Sequence, residues 1–204
     1  MKTKTKYMLI EEIININGGY ITRKDINKHN IPSGFLSEYV KKHNLIKYGT
    51  GFYAREDWIK DDYFVFQYEY PKLIYSFYAA QYLHGLGDYL PPYLEVTGPK
   101  NYRPFPLPKK GVVLHTDTRN RTYELGIVEI ETIFGNKVRV YDKEKTICDF
   151  IRNRNKSEAE SFAKCINYYK RRKDKNINVL MRYAKIMKIE GQVNSLMMVI
   201  LNED

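Results

Sequence analysis

The sequence predicts an α+β chain built as two domains, and three observations carry that prediction. Apolar spacing is helical as far as His43 and alternates directly afterwards. From residue 63 onward, short β-prone segments punctuated by Gly and Pro give way to a helical pattern that runs to the end of the chain. Charge is also unevenly spread. Residues 1–56 carry 10 Lys/Arg against 5 Asp/Glu, residues 57–153 are neutral, and residues 154–188 carry 11 against 3, within a total of +10.

In the first domain, Lys4 to Asn15 places Tyr7, Met8, Ile10, Ile13 and Ile14 at helical spacing, and Asn17-Gly18-Gly19 stops the helix. Tyr20-Ile21 is too short to predict more than a bridge. Thr22, with Asp25 three residues on, has capping-box spacing and starts a second helix from Arg23 to about His29. Ser33 is expected to cap a third helix over Gly34–His43, with Phe35, Leu36, Tyr39 and Val40 inward. Leu45–Gly49 and Gly51–Ala54 then read as a hairpin, whose glycines supply the positive φ of a tight turn. Three short helices followed by a hairpin is the order of a winged helix-turn-helix, expected here over residues 1–56. The charged stretch 56–62, around Trp58, is the expected boundary.

The second domain, 63–204, is predicted as α+β with a helical C-terminal part. Tyr63–Tyr70 is β-prone, and Ser76 is placed to cap a helix over Phe77–Leu86. Strands are expected at Leu94–Thr97, Val112–Leu114 and Tyr123–Glu131, with a loop through 103–109. Gly135-Asn136 joins Glu129–Ile133 to Lys137–Tyr141 as a hairpin. Asp142 caps a helix reaching Arg152, and three more follow at Glu158–Lys170, Asn176–Lys188 and Gln192–Leu201.

The basic balance favours a polyanionic partner. The third helix is the element expected in a DNA major groove, with the hairpin as the wing. Arg23, Lys24, Lys28, Lys41, Lys42 and Lys47 are the expected phosphate contacts; Ser33 and Ser37 sit where base edges or sugars come within reach, and Tyr48 lies on the wing. The competing reading is a winged helix used for protein contacts, with its lysines as an ordinary solvated face. In the second domain, Ser76, Tyr82 and His84 could form a polar site on one helix, although capping and packing explain them more simply. Lys145, Asp149 and Arg152 could hold a phosphate; an ion pair between Asp149 and Arg152, three residues apart, is the plainer account. Lys170, Arg171, Arg172, Lys173 and Arg182 form either a second polyanion surface or a solvated helical face. No histidine or cysteine has ligand spacing, so no metal or cofactor is expected, and Cys148 and Cys165 read as buried thiols of a cytoplasmic protein. Apolar runs are too short to span a bilayer, and the N-terminus lacks the apolar core of a signal peptide.

Three stretches, YPKLIYSFYAAQYLHGLGDYLP at 70–91, VTGPKNY at 96–102 and FGNKVRVYDKEKTICDFIR at 134–152, together with NVLMRYAKIMKI at 178–189, resemble the AbiEi antitoxins of abortive-infection toxin–antitoxin pairs. The resemblance covers nearly the whole chain, and its motifs are specific in combination rather than singly. It implies a non-enzymatic, DNA-binding autorepressor that recognises inverted repeats upstream of its own operon. It also implies neutralisation of a nucleotidyltransferase-like toxin, AbiEii, without a stable complex, and so a role in phage resistance. Two copies on an inverted repeat, from a chain able to be monomeric in solution, would supply the specificity one module lacks. The rival from another class is a metal-dependent nuclease or phosphotransferase, which would draw on Glu129, Glu131 and Asp149.

Overall fold

The structure, a computed structural model, describes residues 5–88, 90–104, 107, 111–116, 120–156 and 158–201. Its chain divides into two units, Met1–Glu69 and Tyr70–Asp204.

In the first unit, the Thr5 side chain caps α1 (Lys6–Ile16), accepting from the Met8 amide at 3.3 Å. Ile10, Ile13 and Ile14 repeat at helical spacing and are buried. After β1 (Tyr20–Thr22), Thr22 and Asp25 form the full capping box of α2 (Arg23–Lys28): the Thr22 hydroxyl accepts from the Asp25 amide at 3.2 Å, and the Asp25 carboxylate accepts from the Thr22 amide at 2.9 Å. Next come α3 (Ser33–Lys42), β2 (Ile46–Gly49) and β3 (Phe52–Ala54). The sheet is antiparallel in the order β1-β3-β2. Ile21, Ile26, Ile31, Leu36 and Tyr39 join the α1 isoleucines in one core.

Four expectations change here. Tyr20–Thr22 is a strand in its own right, because Phe52, Tyr53 and Ala54 are positioned to pair with it in register. Ser33 is the first helical residue rather than the cap; Pro32 occupies the cap position and offers no side-chain bond. Of the two hairpin glycines only Gly51 has positive φ, at +73°, and a Cβ there would lie 3.0 Å from the Arg23 side chain. Finally, the β-prone run after residue 62 is a helix, α4 (Asp62–Glu69), so the boundary falls at 69/70 rather than within 56–62. Asp61 accepts from the Phe64 amide at 3.1 Å and starts the helix, whose Val65 packs with Phe52 and Ala54. Trp58 is no linker residue: Tyr20, Tyr48 and Phe52 surround its ring. Glu69 accepts from the Thr50 amide at 2.7 Å and Tyr68 donates to the Gly51 carbonyl at 3.1 Å, which holds the hairpin tip to α4.

The second unit is α+β. Its elements run β4 (Ile74–Tyr75), α5 (Phe77–Leu83), β5 (Leu94–Gly98), β6 (Val112–Thr116), α6 (Asn120–Tyr123), β7 (Ile127–Glu131), β8 (Lys137–Tyr141), α7 (Lys143–Arg152), α8 (Ala159–Lys170), α9 (Ile177–Met187) and α10 (Glu190–Leu201). The sheet order is β6-β5-β4-β8-β7, with β5–β6 and β4–β8 parallel and the other two pairings antiparallel. The helix expected over Phe77–Leu86 ends at Leu83, and the strand expected from Tyr123 starts only at Ile127, after α6 and a turn at Gly126. Residues 105, 106, 108 and 109 of the expected loop lie outside the described residues.

Helix α7 is the axis of this unit. Ile147, Cys148, Phe150 and Ile151 pack against Cys165, Ile166 and Tyr169 of α8, Leu180, Ala184 and Met187 of α9, and Val193 of α10. Its start is set by Asp142, which accepts from the Lys145 amide at 2.7 Å and from the Tyr183 hydroxyl at 2.8 Å. Gly126, at φ +72°, passes so close that a Cβ would lie 2.9 Å from that carboxylate. Both thiols are free and buried, and burial pushes the Cys148 thiol up to about 12, so it is a packing group rather than a nucleophile.

Candidate nucleic-acid interface and polar pocket

In the first unit, Ser33, Ser37 and Lys41 repeat at four-residue spacing and so form one exposed stripe along α3. The Ser37 hydroxyl donates to the Ser33 carbonyl at 3.3 Å, and Lys42 lies with its Nζ 5.7 Å from the Tyr7 ring centroid. On α2, Arg23, Lys24 and Lys28 are all exposed, Lys24 above the Tyr68 ring at 4.8 Å. Lys47 is exposed on β2. Among the described residues, Lys28, Lys41 and Lys47 belong to no ion pair. Glu38, the one acid on α3, accepts from the Tyr7 hydroxyl. Tyr48 differs from the expectation, since its ring sits half-buried with its centroid 5.1 Å from that of Trp58 and serves hairpin packing.

The second unit brings Lys145, Asp149 and Arg152 together at a cavity of about 150 Å³ lined by Phe77, Thr97, His115, Thr116, Lys145, Asp149, Arg152 and Asn153. Four-residue spacing on α7 sets Lys145 over Asp149, and their Nζ–Oδ2 distance is 2.6 Å with both side chains only 3% exposed. The same ammonium lies 4.2 Å from the Tyr141 ring centroid. Arg152 approaches the other carboxylate oxygen at 3.5 Å, too far for a hydrogen bond, and Asp149 Oδ1 is buried without a hydrogen-bond partner among the described residues. Across the cavity, the parallel register pairs Thr97 with His115, and the pleat puts Glu95 on the same face. Glu95 accepts from the Tyr78 amide at 2.9 Å and lies 3.1 Å from His115 Nε2, which orients the imidazole. Phe77 takes φ +47°, a backbone region rarely adopted by a bulky residue, and its ring packs tilted against His115 with centroids 4.3 Å apart. Strain of this kind costs on the order of 1–3 kcal/mol and concentrates at functional sites.

The other residues expected in this domain are not gathered there. Ser76 is buried and its hydroxyl accepts from Thr97 instead of capping α5. Tyr82 and His84 lie at the far end of α5, roughly 10 Å along the axis from Phe77. His84 Nε2 bonds the Tyr141 carbonyl at 2.7 Å, and burial lowers the His84 pKa. Glu129 and Glu131 sit on β7, opposite Arg139 and Lys137, at the other edge of the sheet from the strands lining the Asp149 cavity. Among the described residues, no group of three or more His, Cys, Asp or Glu side chains could hold a metal. In the second basic region Arg172 bonds Asp174 at 2.9 and 3.1 Å, with Lys143 on the same carboxylate at 2.7 Å; Lys175 donates to the Lys170 carbonyl, and the exposed Arg182 lies over the Tyr183 ring. Arg171 and Lys173 are exposed.

Sequence reasoning missed Phe77, Glu95, Thr97, His115 and Thr116. The one local signal was Glu95 inside the otherwise apolar strand LEVTG, since a buried acid needs partners. No family model matches the chain, and no curated protein matches it either.

Proposed function

We propose that the chain is a DNA-binding autorepressor and antitoxin of the AbiEi kind, with Met1–Glu69 as a winged helix-turn-helix and the second unit carrying the antitoxin role. The observation that carries the DNA reading is the exposed set Lys28, Lys41 and Lys47, which belong to no ion pair among the described residues, flanked by Arg23, Lys24 and Lys42, on α2, α3 and β2. The order α1-β1-α2-α3-β2-β3, with β1 closing the hairpin, supports the winged-helix reading. In this reading α3 enters the major groove, with Ser33 and Ser37 toward bases or sugars and the lysines displacing counterions from phosphates. No helix among the described residues is long and apolar enough to cross a membrane. Repression takes two copies on an inverted repeat, because one module buries too little DNA for a useful specificity ratio. Toxin neutralisation, directed at a nucleotidyltransferase-like partner, rests on the sequence resemblance alone.

The test is a mobility-shift titration against the DNA upstream of the chain's own gene at two salt concentrations. Affinity should fall steeply with salt, with a slope near 0.9 per phosphate contacted. Scrambling one repeat should weaken binding strongly. Binding indifferent to salt and to the repeats would remove the regulator reading.

A further inference from the structure

We infer that the cavity between β5, β6 and the C-terminal half of α7 is a binding site for a terminal phosphate group, one that takes a phosphomonoester or inorganic phosphate and rejects phosphodiesters. The inference starts from the mismatch around Asp149. Its Oδ2 is held by Lys145 at 2.6 Å, whereas its Oδ1 is buried without a hydrogen-bond partner among the described residues. A buried carboxylate oxygen in that state calls for a donor from a ligand. The cavity it lines also holds the Arg152 guanidinium, which is 34% exposed and offers a planar fork, together with His115 and Thr116; the Thr97 hydroxyl proton goes to Ser76. A fitting ligand therefore combines anionic oxygens for Arg152 with an O–H for Asp149 on one small group. A phosphomonoester does this at neutral pH, because its second ionisation lies near about 6 and a fraction keeps its P–OH.

Competing ligands fail on the same residues. A divalent cation would face the Lys145 ammonium and the Arg152 guanidinium across a single carboxylate. An internal phosphodiester has no P–OH, so it would set a charged oxygen against Asp149 Oδ1 with nothing to donate. The cavity, at about 150 Å³, is also well below the roughly 300 Å³ and upward of drug-sized sites, and a tetrahedral oxyanion suits that size. The positive φ of Phe77 provides a second, independent mark. The strained residue is the one whose ring closes the cavity against His115.

Sulfate is the decisive comparison, since it matches phosphate in shape and charge but carries no proton at neutral pH. Titrating isotope-labelled full-length protein with inorganic phosphate should give saturable amide shifts at His115, Asp149, Arg152 and Asn153. Sulfate should bind there at least about tenfold more weakly, the equivalent of one charge-assisted hydrogen bond. Asp149→Asn should erase the discrimination, because an amide can donate to either anion. Should that variant fail to fold with Lys145 left unpaired, Arg152→Gln, changed at a partly exposed position, should instead lose phosphate at the pocket by about tenfold or more. A short 5′-phosphorylated DNA and its 5′-hydroxyl twin identify the source. Pocket shifts stronger than those of inorganic phosphate mark a strand end, and equal shifts mark a free phosphomonoester. Equal affinity for sulfate and phosphate, or shifts confined to surface lysines, would overturn the assignment. The DNA-binding reading of the first unit would stand in either case, because its residues and its titration are separate.

Discussion

The two units differ in how their cations are partnered. In Met1–Glu69 the cations of α2, α3 and β2 stand in solvent, and the nearby acids are spent on structure: Asp25 in a helix cap, Glu11 on Arg55 at 2.6 Å, Glu69 on the hairpin tip. In Tyr70–Asp204 some cations are drawn onto acids, with Lys145 buried on Asp149 and Arg172 and Lys143 converging on Asp174, while Arg154, Arg171, Lys173, Lys185 and Lys188 are exposed. Residues 154–188 have the higher positive charge density, yet Lys164 and Arg172 there sit on carboxylates, whereas Lys28, Lys41 and Lys47 of the first unit belong to no ion pair among the described residues. Cation count alone therefore does not locate a polyanion face. What locates it is cations whose solvation no internal partner has replaced.

The sharpest way to break this contrast is to remove one charge from the buried pair. Lys145→Met leaves the Asp149 carboxylate, at 3% exposure, with only the looser Arg152 contact at 3.5 Å and should cost about 3 kcal/mol. The loss should appear in the thermal transition followed by far-UV circular dichroism. The chain's single tryptophan, Trp58, lies in the first unit and should report an unchanged transition there. Arg172→Met, at an exposed pair, should shift neither probe measurably. Equal effects of the two substitutions would mean that burial does not separate the two kinds of pair.

The next effect concerns DNA. Charge reversal of Lys41 and Lys42 together should weaken operator binding on the order of a hundredfold and flatten its salt dependence. Reversal of Arg171 and Lys173 in the second unit should change it by less than about threefold. A larger loss from the second pair would move the polyanion face to the C-terminal helices.

How far these features could be read from the sequence depends on how local their causes are. Capping is local, so Thr22 and Asp142 announced the starts of α2 and α7. Hairpin turns are local too, and β7–β8 formed where Gly135-Asn136 placed it. Helix α4 escaped because its aromatic composition favours strands, while its helical state comes from the Asp61 cap and from packing on Phe52, a contact between distant positions. Strand β4 is two residues long and exists only through its neighbours β5 and β8. The α7 part of the pocket was legible as Lys145, Asp149 and Arg152, one helix face. Its other wall was not, because the pairing of Thr97 with His115 depends on a parallel register across a long connection.

A smaller effect sharpens the first unit. Asp25→Ala removes the half of the capping box made by its carboxylate, leaving the residue-25 amide on the Thr22 hydroxyl, and should cost about 1 kcal/mol. The Trp58 emission should register that loss as an earlier transition. An unchanged midpoint would mean that tertiary packing of Ile26 alone fixes α2.

The smallest predicted effect is a pH dependence confined to the second unit. Burial lowers the His84 pKa below its usual value, opposed in part by the hydrogen bond to the Tyr141 carbonyl. The unfolded chain then takes the proton first as pH falls below about 6.5. His84 therefore favours the folded state fully above that value, and its contribution is lost as pH falls through the lower folded value. Asp142 has a raised pKa, chiefly from burial, and works in the opposite sense. Comparing wild type with His84→Gln cancels the Asp142 term, since both proteins carry it. The glutamine amide can still donate to the Tyr141 carbonyl, and only the titration is removed. Between pH 7.5 and 5.5 the wild-type melting temperature should drop further than that of the variant, and parallel slopes would show that His84 protonates as easily folded as unfolded.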